Sequence, residues 1–156
     1  MKVYKPYWKH YLLVIIPLII GIALAVYNLT NTPVRHATGL ANLTVKVSGI
    51  ANNKGKILAA VCDKSHFLKQ CEKTALEPAA SAVTLMFSEL QPGSYAVMVF
   101  HDENDNKVFD KTAGGIPLEG YGFSRDAKGH YAPPTFEDAM VEIKSGNNDI
   151  SIKLLY

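Results

Sequence analysis

Leu90-Gln91-Pro92-Gly93-Ser94-Tyr95-Ala96-Val97-Met98-Val99-Phe100-His101 is the stretch on which the fold turns. Pro92 presets φ for one corner of a tight turn, and Gly93 permits a positive φ at the next. Residues 94–101 are apolar at both parities, so they predict a central strand covered on both faces. Outward from this strand the period stays at two. Leu43, Val45 and Val47 alternate with Thr44, Lys46 and Ser48, a half-buried strand. Ile57, Ala59 and Val61 alternate with Leu58, Ala60 and Cys62, and the turn Asn52-Asn53-Lys54-Gly55 before them predicts a hairpin. Val83, Leu85 and Phe87 predict a further strand, and Ser65 to Lys73 a helical turn. Ala139 to Ile143 and Asp149 to Leu154 read as closing strands around Ser145-Gly146-Asn147-Asn148. Short strands, frequent turns and no long amphipathic helix predict an all-β fold. The expectation is an immunoglobulin-like antiparallel β-sandwich of about seven strands over residues 41–156.

Charge is unevenly distributed. The first acidic residue is Asp63; seven basic residues precede it, and nine basic and all fourteen acidic residues lie from there on. A nucleic-acid surface needs Lys and Arg clustered on the domain itself, so nucleic acid is not an expected partner. Residues 1–10 (MKVYKPYWKH) carry Lys2, Lys5 and Lys9 and no acid, and residues 11–27 (YLLVIIPLIIGIALAVY) carry no charge. That run spans about 25 Å as a helix, enough for the hydrocarbon core with help from interfacial residues. Tyr7, Trp8, Tyr11 and Tyr27 are the aromatics expected at the headgroups, and the basic flank predicts a cytoplasmic N-terminus. Three readings stand: an uncleaved signal anchor in the cytoplasmic membrane, a signal peptide cleaved after Ala25 in Ala23-Leu24-Ala25, and a buried soluble helix. Either export reading puts the domain in the cell envelope outside the cytoplasm, periplasmic or secreted if cleaved. Residues 28–40, polar with Pro33 and Gly39, read as a linker.

Three elements occur in order: Leu90-x-Pro92-Gly93-x-Tyr95-Ala96-Val97 running into Val99-Phe100-His101-Asp102-Glu103-Asn104, then Gly115-Ile116-Pro117-x-Glu119-Gly120-Tyr121-Gly122-Phe123-Ser124, then Pro133-Pro134-x-Phe136-Glu137-Asp138-Ala139. Together they resemble the bacterial DUF2141 family of exported proteins, over about Leu43 to Leu154. The Pro-Gly-x-Tyr element is also similar to transthyretin-like and CnaB-type sandwiches, in which Gly makes the turn and Tyr enters the core. The resemblance implies the sandwich and brings no activity with it.

The chemistry-bearing run is His101 to Asp110 (HDENDNKVFD). Asp102, Asn104, Asn106 and Asp110 stand at positions 1, 3, 5 and 9 of an EF-hand-like loop, with the Val108 carbonyl at 7, an oxygen pattern suited to Ca²⁺. Position 6 is Lys107 where an EF-hand has Gly, position 12 is Ala113, and Glu119 is the residue available to complete the shell. The family usually has Gly where Asp105 and Lys107 stand. The other reading is an Asx-rich turn whose side chains cap their own backbone. His101 reads either as a backbone hydrogen-bonding residue at the strand end or, with Asp102 and Glu119, as an acid–base group. Neither HxxxH nor CxxC is present for zinc, and GFSRD around Ser124 is not the GxSxG of a serine hydrolase. Cys62 and Cys71 flank a short turn and are expected to pair in an oxidising compartment. Tyr121, Phe123, Tyr131 and Phe136 crowd the long 102–138 segment. They read as a satellite core or as a binding surface for an envelope component.

Three functions are therefore in play: a non-enzymatic binding or structural module tethered to a membrane, a calcium-dependent adhesion or accessory domain, and an enzyme built on His101, Asp102 and Glu119.

Overall fold

Which faces of a strand are apolar sets which of its faces are buried. The computed structural model describes residues 39–71 and 73–156. Strand β1 (Ala41–Ser48) buries Ala41, Leu43, Val45 and Val47 and turns its polar residues outward. It lies between β4 (Val83–Leu90), antiparallel, and β8 (Gly146–Lys153), parallel, in a three-stranded sheet. Strand β2 (Lys56–Cys62) has both faces largely covered and joins the second sheet, between β3 (Lys73–Pro78) and β5 (Gly93–Asp102). The far side of β5 is shared: β7 (Met140–Ile143) pairs with Gly93–Ala96, and β6 (Tyr121–Phe123) with Met98–Phe100. A 3-10 turn (Ser124–Asp126) and a one-turn helix α1 (Phe136–Ala139) complete the described elements.

The two sheets face each other across an aliphatic core that includes Leu43, Val45, Ile57, Leu85, Val97, Val99, Ile143 and Ile152. Burying each side chain of this size contributes about 1.5–3 kcal/mol. Beyond β8, the backbone of Leu155 exchanges two 2.9 Å hydrogen bonds with Tyr121, so the sheets are stitched together along one side. The described residues belong to one compact unit, and the strand partners and core contacts named here all lie within it, the organisation expected of a domain with a core of its own.

Several expectations are corrected. The sandwich is mixed rather than antiparallel, because β1 and β8 run parallel over eight residue pairs. It has eight strands among the described residues where about seven were expected, and neither the three-residue β6 nor β3 was foreseen. The residues of β3 are mostly exposed and so carry no alternation to read. β1 and β2 do not form a hairpin: β1 already has a neighbour on each edge, and the chain crosses between sheets at residues 49–55. In that crossing Gly55 has φ +64°, and a Cβ there would collide with the Asp102 backbone. β7 and β8 likewise pair with β5 and β1 rather than with each other. Where a helical turn was expected over Ser65 to Lys73, residues 63–69 form successive turns, the Asp63 carbonyl accepting from His66 N and the His66 carbonyl from Lys69 N, and Lys73 already opens β3. The basic flank 1–10, the apolar run 11–27, the cleavage site at Ala25 and the linker up to residue 38 lie outside the described residues. Among the described residues no helix is long and apolar enough to cross a membrane.

Candidate functional site

His101 and Asp102 are consecutive in β5 and so face opposite sides of the sheet. His101 points between the sheets and is fully buried. Its Nε2 is 2.7 Å from the Lys54 carbonyl, which only accepts, so Nε2 carries the proton. Nδ1 then accepts from the Tyr156 hydroxyl at 2.7 Å, and that oxygen accepts from Ala51 N at 3.0 Å. Burial, together with the nearby Glu103 carboxylate, pushes the Tyr156 phenol up from its ordinary value. The Tyr156 ring lies where a Cβ on Gly120 would be, and the Gly120 carbonyl accepts from His101 N at 2.8 Å. His101 is thus a knot joining β5, the 49–55 crossing and Tyr156, with both ring nitrogens engaged.

Asp102 is also fully buried, and its two oxygens accept from Asn106 N at 3.0 Å and Lys107 N at 2.8 Å. Asn104 Oδ1 accepts from Asn106 N, and Asn106 Oδ1 accepts from Val108 N. The side-chain amides of Asn104 and Asn106 donate to Asp110 Oδ2 at 2.8 and 3.0 Å. Glu119 reaches back so that Oε1 accepts from Glu103 N and Oε2 from Asp110 N. Burial is the main cause that raises the Glu119 pKa above the ordinary carboxylate value; the Asp110 and Asp102 charges add to it, and the two backbone amides oppose it. The structure therefore gathers Asp102, Asn104, Asn106, Asp110 and Glu119 around one loop, in which Asp102 and Glu119 cap backbone amides and Asp110 takes the side-chain amides of Asn104 and Asn106. Among the described residues no group of three or more His, Cys, Asp or Glu is arranged to hold a metal ion. Asp105 and Lys107, where the family resemblance points to glycine, have φ +58° and +62°. The left-handed turn is kept here with side chains in place of the residue that adopts it freely. His101, Asp102 and Glu119 do not converge, so the acid–base group has no geometric basis.

The outer face of the five-stranded sheet is half covered. Cys62 and Cys71 are joined in a disulfide that closes the loop carrying Phe67. Phe67 packs edge-on to Phe123 and Phe136, with ring centroids 6.1 and 5.8 Å apart. Thr135 and Asp138 form a reciprocal cap that starts α1 and seats Phe136 and Ala139. Hydrogen bonds from Thr135 hold the Asp138 carboxyl below its ordinary value. Ser124 fills the gap between β6 and β7: its Oγ accepts from Val97 N and donates to the Ala139 carbonyl. In the disulfide loop, the Ser65 hydroxyl and then the His66 amide and ring hold Asp63 down at about 2.

Past this cluster the same face opens into a groove of about 920 Å³, within the size range of ligand pockets. Its floor is Met98, Phe100, Phe109 and Tyr121, all half-buried; Phe109 stands 5.5 Å from Phe100 and 5.7 Å from Tyr121. Leu68, Ile116 and Tyr131 are exposed on its rim. The four aromatics singled out from the sequence are thereby divided. Phe123 and Phe136 are buried in the satellite cluster, Tyr121 is floor and Tyr131 is rim. Phe100 and Phe109 were missed as site residues. Phe100 carried a signal, as an outward apolar residue in a strand apolar on both faces, whereas Phe109 reaches the groove only because its loop folds back.

No curated protein and no solved structure matches the chain. Residues 45–151, from within β1 to within β8, match the family described as uncharacterized protein conserved in bacteria (DUF2141), and the chain belongs to that family.

Proposed function

We propose that this chain is a non-enzymatic binding module tethered outside the cytoplasm by residues 11–27, and that the groove on its five-stranded sheet is the ligand surface. The groove carries the reading: a concave apolar floor left half open in a small domain marks a binding site more often than a defect of packing. The disulfide supports an oxidising compartment. The uncharged run behind Lys2, Lys5 and Lys9 supports the tether. The two-sheet architecture supports an immunoglobulin-like or transthyretin-like classification, which belongs to the same proposal.

Two measurements test it. A reporter active only outside the cytoplasm, fused after Tyr156, gives signal; activity of a cytoplasm-only reporter at that position overturns the placement. The isolated domain from Gly39 takes up the neutral fluorophore N-phenyl-1-naphthylamine at about one per chain. Phe109→Ser weakens uptake at least about fivefold with the fold intact. No uptake, or equal uptake by the variant, overturns the groove.

A further inference from the structure

The groove is chemically one-sided. The domain from Ala41 on carries twelve basic and fourteen acidic residues, so it is acidic as a whole. Yet Lys69, Lys111, Lys128 and Lys153 line the groove with a single carboxylate, Asp126, among the described residues. None of the four lysines is ion-paired to a carboxylate among the described residues. Lys111 Nζ sits 4.9 Å above the Phe109 ring, which holds a cation directly over the apolar floor. Asp126 is itself occupied, accepting from Lys153 N at 3.0 Å. The lining contains no Asn, Gln, Ser, Thr, Arg or His side chain among the described residues, leaving the Tyr121 and Tyr131 hydroxyls as its neutral side-chain donors.

Each absence narrows the ligand. A sugar is held by planar amides, carboxylates and guanidinium groups matched to its neighbouring hydroxyls, and this lining offers one carboxylate. A nucleic-acid strand needs a long basic track, and the domain around the groove is net acidic. Lysines over an aromatic and aliphatic floor suit an apolar body ending in an anionic head. The floor is recessed, so a flat bilayer surface does not reach it.

Resting on the reading of the groove as a ligand surface, we infer that it takes single anionic amphiphiles, the long-chain carboxylate being the simplest. The apolar chain lies on Met98, Phe100, Phe109 and Tyr121, and the carboxylate meets the lysines.

Displacement of N-phenyl-1-naphthylamine from the isolated domain tests the charge requirement separately from the groove. Decanoate, decanol and decyltrimethylammonium are compared below their micellar concentrations. Decanoate displaces the dye at a concentration at least about tenfold lower than the other two, and 1 M salt narrows the gap. In the exposed triple variant Lys111→Gln, Lys128→Gln, Lys153→Gln, dye uptake stays while the preference falls at least about fivefold. Equal displacement by the three compounds, or a preference that survives the triple variant, overturns the inference and leaves the groove standing. Sedimentation of the domain with phosphatidylglycerol vesicles, undiminished by decanoate, overturns it in favour of a membrane surface. Failure of the dye to bind at all overturns the groove and the inference together.

Discussion

The inner and outer faces of the five-stranded sheet are built from the same strands and end up with different tasks. In β5, Val97 and Val99 point inward and are buried against the other sheet, whereas Met98 and Phe100 point outward and are half-buried. The inner face is aliphatic and closed. The outer face is aromatic, partly roofed by the disulfide loop and α1, and open over the remainder. The inner face meets a second sheet along its whole length. The outer face has only loops and the one-turn helix α1 to cover it, and these stop short. Apolar surface that folding leaves uncovered remains available for a ligand.

Core truncation is the sharpest way to break this contrast. Leu85→Ala, fully buried on the three-stranded sheet that covers the inner face, costs about 2–5 kcal/mol. Phe100→Ala, half-buried on the outer face, costs about 1 kcal/mol. Equilibrium urea unfolding of the isolated domain measures both, and equal losses would make the outer face a second core rather than a site.

The disulfide gives an intermediate effect. Cys62 and Cys71 are nine residues apart in sequence. Closing a loop of that size contributes roughly 2–3 kcal/mol in the chain-entropy model. The double variant Cys62→Ser, Cys71→Ser therefore loses about that much by the same measurement. The inner core survives, and the Phe67 cluster loosens first in hydrogen exchange. Unchanged stability would mean that the aromatic cluster holds the loop without its covalent link.

The smallest effect is expected at the acidic loop, which borders the outer face. Asp102 and Glu119 each have both oxygens on backbone amides, and Asn104 and Asn106 turn their amides to Asp110. A loop capped in this way has little to gain from a cation. Millimolar Ca²⁺ is accordingly expected to leave the melting temperature unchanged to within about a degree. A rise of several degrees that Asp110→Ala removes would instead establish an ion site and the calcium-dependent reading.

Strand positions were legible where a strand reads out its own environment. The alternation in Leu43–Ser48 and the doubly apolar 94–101 run report how many faces are covered, and both lie in strands of the expected kind. The family motifs were legible because tight turns and the 102–110 loop demand particular residues. β3 was silent because exposed edge residues impose no period. The groove was half legible: Tyr121 and Tyr131 were singled out, but the lysines come from four distant segments that nothing local connects.

The sequence by itself determined the all-β class, the central strand and the break at Gln91-Pro92 before it, although Gly93 enters β5 without the positive φ expected there. Each of these is written in residues that are neighbours along the chain. Only the tertiary structure decided that β1 lies parallel to β8, that the 49–55 segment crosses between sheets, and that His101 meets Tyr156. It alone brought Lys69, Lys111, Lys128 and Lys153 to one groove. These are contacts between distant segments, and a strand's periodicity records how many of its faces are buried without recording which partner buries them.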